Sequence, residues 1–317
     1  MQHFIDLIMR SGESGVHLAL YVLLPVLVVM MALMRLLEER GVLNKVAIRI
    51  APLLLFFGIP GLGVFAILQI LLVSFAAPIA TLKIMSADDR ISKAGIAATL
   101  AAVFTMSQGN AAFPMAVAGL NIPILMTTSV IGGLLAAYIA YRSVLKEGQE
   151  HIAEAASYKL KSQGDQTKKA SVIQLLFKGG EEGLNIAIKS IPPLILSIFM
   201  VNILREVGAI NLLETVLSPA LTRIGIPGVA VLPVATKYLA GGTAMMAITL
   251  ELVQEGAINA LELNRIAGFI LNPLDPVGVA LLASAGSRVG SVTKPAIKGA
   301  FLGIIFRGIL HLLIFKA

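Results

Sequence analysis

Asp275 is the residue of this chain best placed to do chemistry. It stands in Asn272-Pro273-Leu274-Asp275-Pro276, inside an otherwise apolar stretch. An ionisable side chain at membrane depth is costly and marks a functional position by default. Asp275 could couple to H⁺ or Na⁺, or accept a donor from a solute. The alternative is a structural ion pair, and Lys237 is its obvious partner because it lies in another interrupted apolar stretch. A pair of this kind leaves two roles open, exchange of partners during a cycle or a static lock. Asn272, one turn earlier, adds an amide.

The uncharged candidates fall at similar places. Gln108 and Asn110 sit in Ser107-Gln108-Gly109-Asn110, and their amides offer both donors and acceptors, which suits a nucleobase or another amide-bearing solute. Interhelical hydrogen bonding at a helix break is the competing role. Ser74, Pro78 and Thr81 flank one interruption, and Gly241, Gly242 and Thr243 flank another. Their hydroxyls could serve as ligands or could bond back to the preceding helical turn.

All these candidates lie where an apolar helix is interrupted. An interruption frees backbone N–H and C=O groups, which in hydrocarbon must be satisfied by protein, water or a ligand. Paired interruptions in two repeats mark the central site of secondary transporters. Gly and Pro that only kink packed helices are the alternative.

The composition requires a membrane. Of 317 residues, 57% are hydrophobic and 14% charged, where a soluble domain carries about 25% charged, and the mean hydropathy is +0.89. Apolar runs such as 17–37 and 122–141 are long enough to span a bilayer. They are continuous rather than alternating, which excludes a transmembrane β-barrel. Charges follow the first run at Arg35, Glu38, Glu39 and Arg40, unlike the small-residue site of a cleavable signal.

A duplication runs through the sequence. Gly12-Glu13-Ser14-Gly15 returns as Gly180-Glu181-Glu182-Gly183, Pro25 as Pro193, Gly41 as Gly208, Pro52 as Pro219, and Gly58-Ile59-Pro60-Gly61 as Gly225-Ile226-Pro227-Gly228. These pairs are 167 or 168 residues apart. The organisation expected is a membrane repeat over 1–141, a basic cytoplasmic linker over 142–178 and a second repeat over 179–317. Each repeat reads as a long helix, a short interfacial helix, a broken stretch (62–85; 229–252), a second broken helix and a closing helix. Glu13, Glu181 and Glu182 are expected at helix starts, where a carboxylate suits the positive dipole end.

Lysine and arginine set the topology. If each first broken stretch is a re-entrant hairpin, segments 35–49, 83–93 and 288–298 fall on the cytoplasmic side with four, three and three basic residues. Segments 119–123, 205–223 and 251–265 fall outside with none, two and one. Equivalent loops differ in the direction that inversion demands. The fold expected is all-α: a polytopic membrane protein of two inverted repeats, with interfacial helices, re-entrant or broken helices and about three full crossings per repeat.

Two segments carry a family resemblance. Ser74-Phe75-Ala76-Ala77-Pro78-Ile79-Ala80-Thr81-Leu82-Lys83, followed by Asp89-Arg90, resembles the Gly-Phe-Gly-Cys-x-x-Pro-Ala-x-x-Ala-Thr-Arg pattern of ferrous-iron transport protein B, with proline and threonine matched and the cysteine absent. Lys237-Tyr238-Leu239-Ala240-Gly241-Gly242-Thr243-Ala244 resembles the small-residue segment of spore maturation protein B. The chain is similar to membrane proteins with a nucleoside-recognition, or Gate, domain, as a fusion of spore maturation proteins A and B. Concentrative nucleoside transporters are similar at greater distance. The resemblance implies a two-repeat transporter-like fold, homodimeric or larger, and does not fix a substrate.

The function expected is secondary transport of a small polar solute, possible classes including nucleosides and nucleobases, by alternating access around a midplane site between the repeats. A membrane scaffold or accessory protein of cell-envelope assembly is the alternative. The location expected is the cell inner (cytoplasmic) membrane, with lipid and the solute as partners. The net charge of +7 fits basic cytoplasmic loops rather than nucleic acid. The four histidines lack metal-ligand spacing, there is no cysteine, and no Gly-x-x-x-x-Gly-Lys-Ser/Thr loop occurs. No enzyme, metal or cofactor is expected beyond a coupling H⁺ or Na⁺. Gly299 and Gly303 carry a Gly-x-x-x-Gly spacing for close helix packing or a dimer.

Overall fold

The computed structural model describes residues 2–74, 76–146, 171–223 and 225–316. Among them the regular structure is helical. Half one contains α1 (Gln2–His17), a π-helical segment (Leu18–Leu23), α2 (Leu24–Glu39), α3 (Val42–Leu55), α4 (Gly61–Leu72), α5 (Pro78–Ala87), α6 (Lys93–Thr105), α7 (Gly109–Met115) and α8 (Ile122–Lys146). Half two contains α9 (Val172–Glu206), α10 (Ala209–Arg223), α11 (Val231–Ala240), α12 (Gly242–Gln254), α13 (Ala260–Ile270), α14 (Pro276–Ala283), α15 (Ser287–Ser291) and α16 (Thr293–Ile314). Apart from α15 and the π-helical segment, each element has a counterpart in the other half. Residues 147–170, which hold most of the expected linker, lie outside the described residues; α8 and α9 take its two ends.

The repeated Gly-Ile-Pro-Gly motif acts as a stop and restart. Gly58 and Gly225 take φ of +78° and +70°, a left-handed conformation open to glycine at little cost. They end α3 and α10. Pro60 and Pro227 then hold extended backbone and relaunch the chain. At Pro25 the missing N–H cannot bond the carbonyl four residues back, and the π-helical segment lies immediately before it.

The long helices of the two halves lie antiparallel on each other. From one end of the α1–α2 helix to the other, Phe4 meets Phe199 with ring centroids 5.7 Å apart, and Asn202 Nδ2 donates to Ser11 Oγ at 3.1 Å. Further along, a Cβ on Gly15 would stand 2.6 Å from Ile195, one on Gly183 2.5 Å from the Leu27 carbonyl oxygen, and one on Gly179 2.5 Å from that of Met31. Gly15 and Gly183 are repeat equivalents, and so are Leu27 and Ile195. The 168-residue offset read in the sequence would exchange the two contacts. The closing helices α8 and α16 are also antiparallel: Gly299 packs on Ala136, Gly303 on Gly132, and His311 bonds Thr128. The expected Gly-x-x-x-Gly spacing thus packs α16 on α8 within one chain.

Among the described residues, four helices are long and apolar enough to cross a membrane, namely Gln2–Glu39, Ile122–Lys146, Val172–Glu206 and Thr293–Ile314. They expose large apolar side chains such as Tyr21, Phe177, Leu196 and Phe301. The interior belongs to the shorter broken helices. Every residue of α6 from Ala94 to Thr105 is buried, which explains its apolar and small residues all round.

One expectation fails. Glu13 lies well inside α1, and Glu181 and Glu182 lie inside α9, because amphipathic extensions carry both helices outward beyond the apolar core. Glu182 instead faces Arg35 of α2 at 3.9 Å, so it is no helix cap.

The backbone contact between α8 and α16 gives a stability prediction. Gly303→Leu forces side-chain atoms into the Gly132 carbonyl, where even a Cβ would approach to 2.6 Å. The expected cost is about 1–3 kcal/mol, read as a lower unfolding temperature in detergent, whereas Leu302→Ala on the exposed side of α16 should leave it nearly unchanged.

Candidate functional site

Both first broken stretches fold as helix pairs. In half one, α4 and α5 pack side by side. Thr81 Oγ1 donates to Gln69 Oε1 at 2.8 Å, tying the two helices together. Pro78 starts α5 and is buried. Val73 and Ser74 both return N–H bonds to the Gln69 carbonyl, at 2.9 and 3.2 Å, so the chain leaves α4 abruptly. In half two, α11 and α12 pack together and are joined through Gly241 at φ +88°, ψ −179°. That backbone is strained for any residue with a side chain.

The two tips dock on the two other breaks. The end of α4 seats on the α6–α7 break, where a Cβ on Gly109 would lie 2.9 Å from the Leu71 carbonyl oxygen. The α11–α12 tip reaches both broken helices at once. A Cβ on Gly242 would lie 2.5 Å from Gln108 Nε2, and one on Gly241 would lie 3.8 Å from Asp275 Oδ1. The breaks also meet directly, since Ser107 Oγ donates to the Leu271 carbonyl at 3.0 Å and Ser129 Oγ donates to Ser107 Oγ at 2.9 Å.

Asp275 caps α14. Its Oδ1 accepts the Gly278 N–H at 2.8 Å, and its Oδ2 forms an ion pair with Lys237 Nζ. Lys237 is fully buried and Asp275 nearly so. The ammonium and carboxylate cancel, so this wall is charge-balanced. The predicted partnership of Lys237 with Asp275 is therefore present; Gly241 lies beside it, and Gln108 meets the same tip at Gly242. Asn110 lies two residues past Gln108, and its buried Oδ1 has no hydrogen-bond partner among the described residues. Thr243 lies on the first turn of α12, and Ser74 follows the end of α4.

Asn272 serves its own chain. Its Nδ2 donates to the Phe269 carbonyl at 2.8 Å and its Oδ1 accepts the Leu274 N–H at 3.0 Å. It shapes the turn between α13 and α14. Thr81 is likewise spent on Gln69.

Sequence reasoning missed Arg307 and His311, both on α16 and both fully buried. His311 is engaged at both ring nitrogens, with the Asn264 carbonyl at 2.6 Å and Thr128 Oγ1 at 2.8 Å. The signal for Arg307 was available: it is an ionisable residue in an apolar run, as Asp275 is. Outside the apolar layer, Arg288 of α15 donates to the Asp88 carbonyl at 2.7 Å. Arg90 beside Asp88 holds that carboxyl below its ordinary range.

No protein-family model matches the chain. Spore maturation protein B of Bacillus subtilis (strain 168) is 26% identical over 152 residues, which is 47% of this chain and 84% of that protein. A double variant of CNTnw, a nucleoside transporter, in an outward-facing state matches with TM-score 0.68 at 17% identity over 98% of this chain and 84% of its own. CNTnw in an inward-facing substrate-bound state matches with TM-score 0.67 at 17% identity over 99% of this chain and 84% of its own. This chain has the fold of a membrane transporter. It is an all-helical multi-pass membrane protein, weakly related in sequence to spore maturation protein B, and at these identities the likeness to CNTnw concerns the fold alone.

The ion pair yields a sharp prediction. Asp275→Asn keeps an oxygen for the α14 cap but strands the Lys237 ammonium, at an expected cost of about 3–5 kcal/mol. The double variant Lys237→Met/Asp275→Asn removes both charges and should recover most of that loss in thermal unfolding. Equal destabilisation of the single and double variants would show that the pair's charge balance is irrelevant.

Proposed function

We propose that this protein is a secondary-type transporter of a small, polar, uncharged solute, working by alternating access around a midplane site between two inverted repeats. The reading rests chiefly on one observation: the α11–α12 tip of half two touches Gln108 of half one and Asp275 of half two. Three interrupted stretches thereby pool their polar backbone around one place, as carrier sites do, and the fourth adjoins through the end of α4 at Gly109. Gln108, the unpartnered Asn110 Oδ1 and the backbone at Gly241 and Gly242 are the proposed solute contacts, with Ser74, Pro78 and Thr243 at the rim. Asn110 Oδ1 calls for an N–H or O–H donor. The self-cancelled Lys237–Asp275 pair disfavours an ionic solute, and a nucleoside or nucleobase is one chemistry that fits. The match to a transporter solved facing both outward and inward supports the same reading.

Inversion is supported independently of charge counting. Antiparallel α1–α2 against α9, and α8 against α16, are what inverted equivalents produce. Loops assigned to one side also bond each other: Arg288 binds the Asp88 carbonyl, while the Asn121 N–H donates to Asn264 Oδ1 at 2.8 Å. The halves would then be one spore-maturation-A-like and one spore-maturation-B-like unit, in an inner membrane. A second reading, an accessory protein of envelope assembly, draws on the sequence relative.

Two experiments test these proposals. Purified protein in liposomes should take up a radiolabelled solute from a panel of nucleosides, nucleobases and neutral amides, and Gln108→Ala should lower uptake about 10-fold or more, the loss of a buried hydrogen bond and its fit. Absence of uptake and of ligand-induced thermal stabilisation across the panel would leave the accessory reading. Because the chain has no cysteine, single replacements report sidedness. Val117→Cys and Ala257→Cys should react with an impermeant maleimide on intact cells, and Asp89→Cys and Ser291→Cys only after permeabilisation. Labelling of Val117→Cys and Ser291→Cys from the same side would contradict the inverted arrangement.

A further inference from the structure

Arg307 is a full positive charge with no solvent and, among the described residues, no carboxylate partner. All five of its N–H donors are nevertheless used. Nε donates to the Gly268 carbonyl at 2.8 Å. Nη1 donates to the Thr105 carbonyl and to Ser129 Oγ. Nη2 donates to the Ala267 carbonyl at 3.1 Å and the Leu271 carbonyl at 2.7 Å. Thr105 ends α6, and the other three carbonyls end α13. These are the last turns of the two broken helices, one from each half. A helix C-terminus carries roughly half a negative elementary charge, so two together offset about one guanidinium.

We propose that the C-terminal carbonyls of α6 and α13 form a cation-binding centre whose resident cation is the protein's own Arg307. Half-helix C-termini at membrane depth are places where carriers hold exchangeable cations. Here a tethered guanidinium takes that role, and its planar fork fills five bonds to carbonyls of both halves and to Ser129, more than the three donors of an ammonium can supply. Removing the side chain therefore uncovers a cluster of carbonyl oxygens with a vacancy the size of a guanidinium. This centre is separate from the Lys237–Asp275 pair, and its test does not depend on transport.

The full chain carrying Arg307→Ala is purified in detergent and its unfolding followed by circular dichroism. The expected result is a melting temperature lowered by roughly 5 °C or more, with most of the loss recovered by millimolar methylguanidinium chloride and none by choline chloride at equal ionic strength. Arg307→Met fills the same space with an apolar stem and should not respond to methylguanidinium. If Arg307→Ala yields no folded protein, Arg307→Lys and Arg307→Met decide, with lysine expected to melt higher. Wild-type stability in Arg307→Met, equal recovery by choline, or a methionine variant more stable than the lysine variant overturns the proposal.

Discussion

A helix interrupted in a layer without water leaves backbone groups that have nowhere to go, and the interior of this protein is the collective answer to four such interruptions. Ser107 supplies a hydroxyl to the carbonyl of Leu271 across the halves. Asp275 caps the restarted helix α14. Arg307 gathers the freed carbonyls of α6 and α13. Ser107 and Arg307 join breaks of the two halves, while Asp275 ties its own break to α11 through Lys237, so neither half is complete alone. Burying α6 from Ala94 to Thr105 at the centre follows from the same constraint, since its broken end must stay where its partners are.

Three buried charges obey one rule. Lys237 and Asp275 neutralise each other between α11 and the start of α14; Arg307 is neutralised by helix ends. Isolated charges at this depth would cost far more than a single interaction returns. The difference between the two solutions matters mechanically. The pair links a hairpin to a broken helix by one contact, whereas the guanidinium links two broken helices through bonds to both, with α8 added through Ser129. Separation of α11 from α14 needs one partner to be replaced; separation of α6 from α13 breaks either the single Arg307 bond to Thr105 or its three bonds to the end of α13, together with the Ser107–Leu271 bond.

Much of this was legible in the sequence because the signals are covalent and local. Gly-Ile-Pro-Gly stops and restarts a helix wherever it stands, so its recurrence disclosed the duplication and the ends of α3 and α10. The breaks at 73–77, 106–108, 241 and 271–275 followed from small residues, amides and proline. The Lys237–Asp275 contact followed because few charges exist to choose from. What was hidden depends on geometry between distant elements. Asn272 looks like a ligand in sequence, but its amide is consumed two and three residues away by the turn it builds. Arg307 stands in an unbroken helix, and Gly308 beside it packs on Phe269 rather than ending the helix; its charge in an apolar run was legible, but only the approach of α16 to both broken helices gives it a task. Glu182 was misread because an amphipathic extension precedes the apolar run, and apolar length alone does not mark where a helix begins.

The antiparallel pairing of equivalent helices limits how such a molecule could change state. Because Gly15 with Ile195 and Gly183 with Leu27 are one contact related by the duplication, sliding α1–α2 against α9 in one direction alters both contacts alike, and glycines that touch backbone leave little freedom to do so. The same holds for α8 against α16. Relative movement is cheapest where contacts are few and made by flexible ends. At the α11–α12 tip, Gly242 faces the far end of the Gln108 side chain rather than backbone, and Gly241 is joined to the next helix by a conformation that only glycine adopts readily. In the proposed carrier, displacing the hairpin tip requires the Lys237–Asp275 pair to part, and the solute contacts assigned to Gln108 and Gly242 lie on the surface that such a displacement would open.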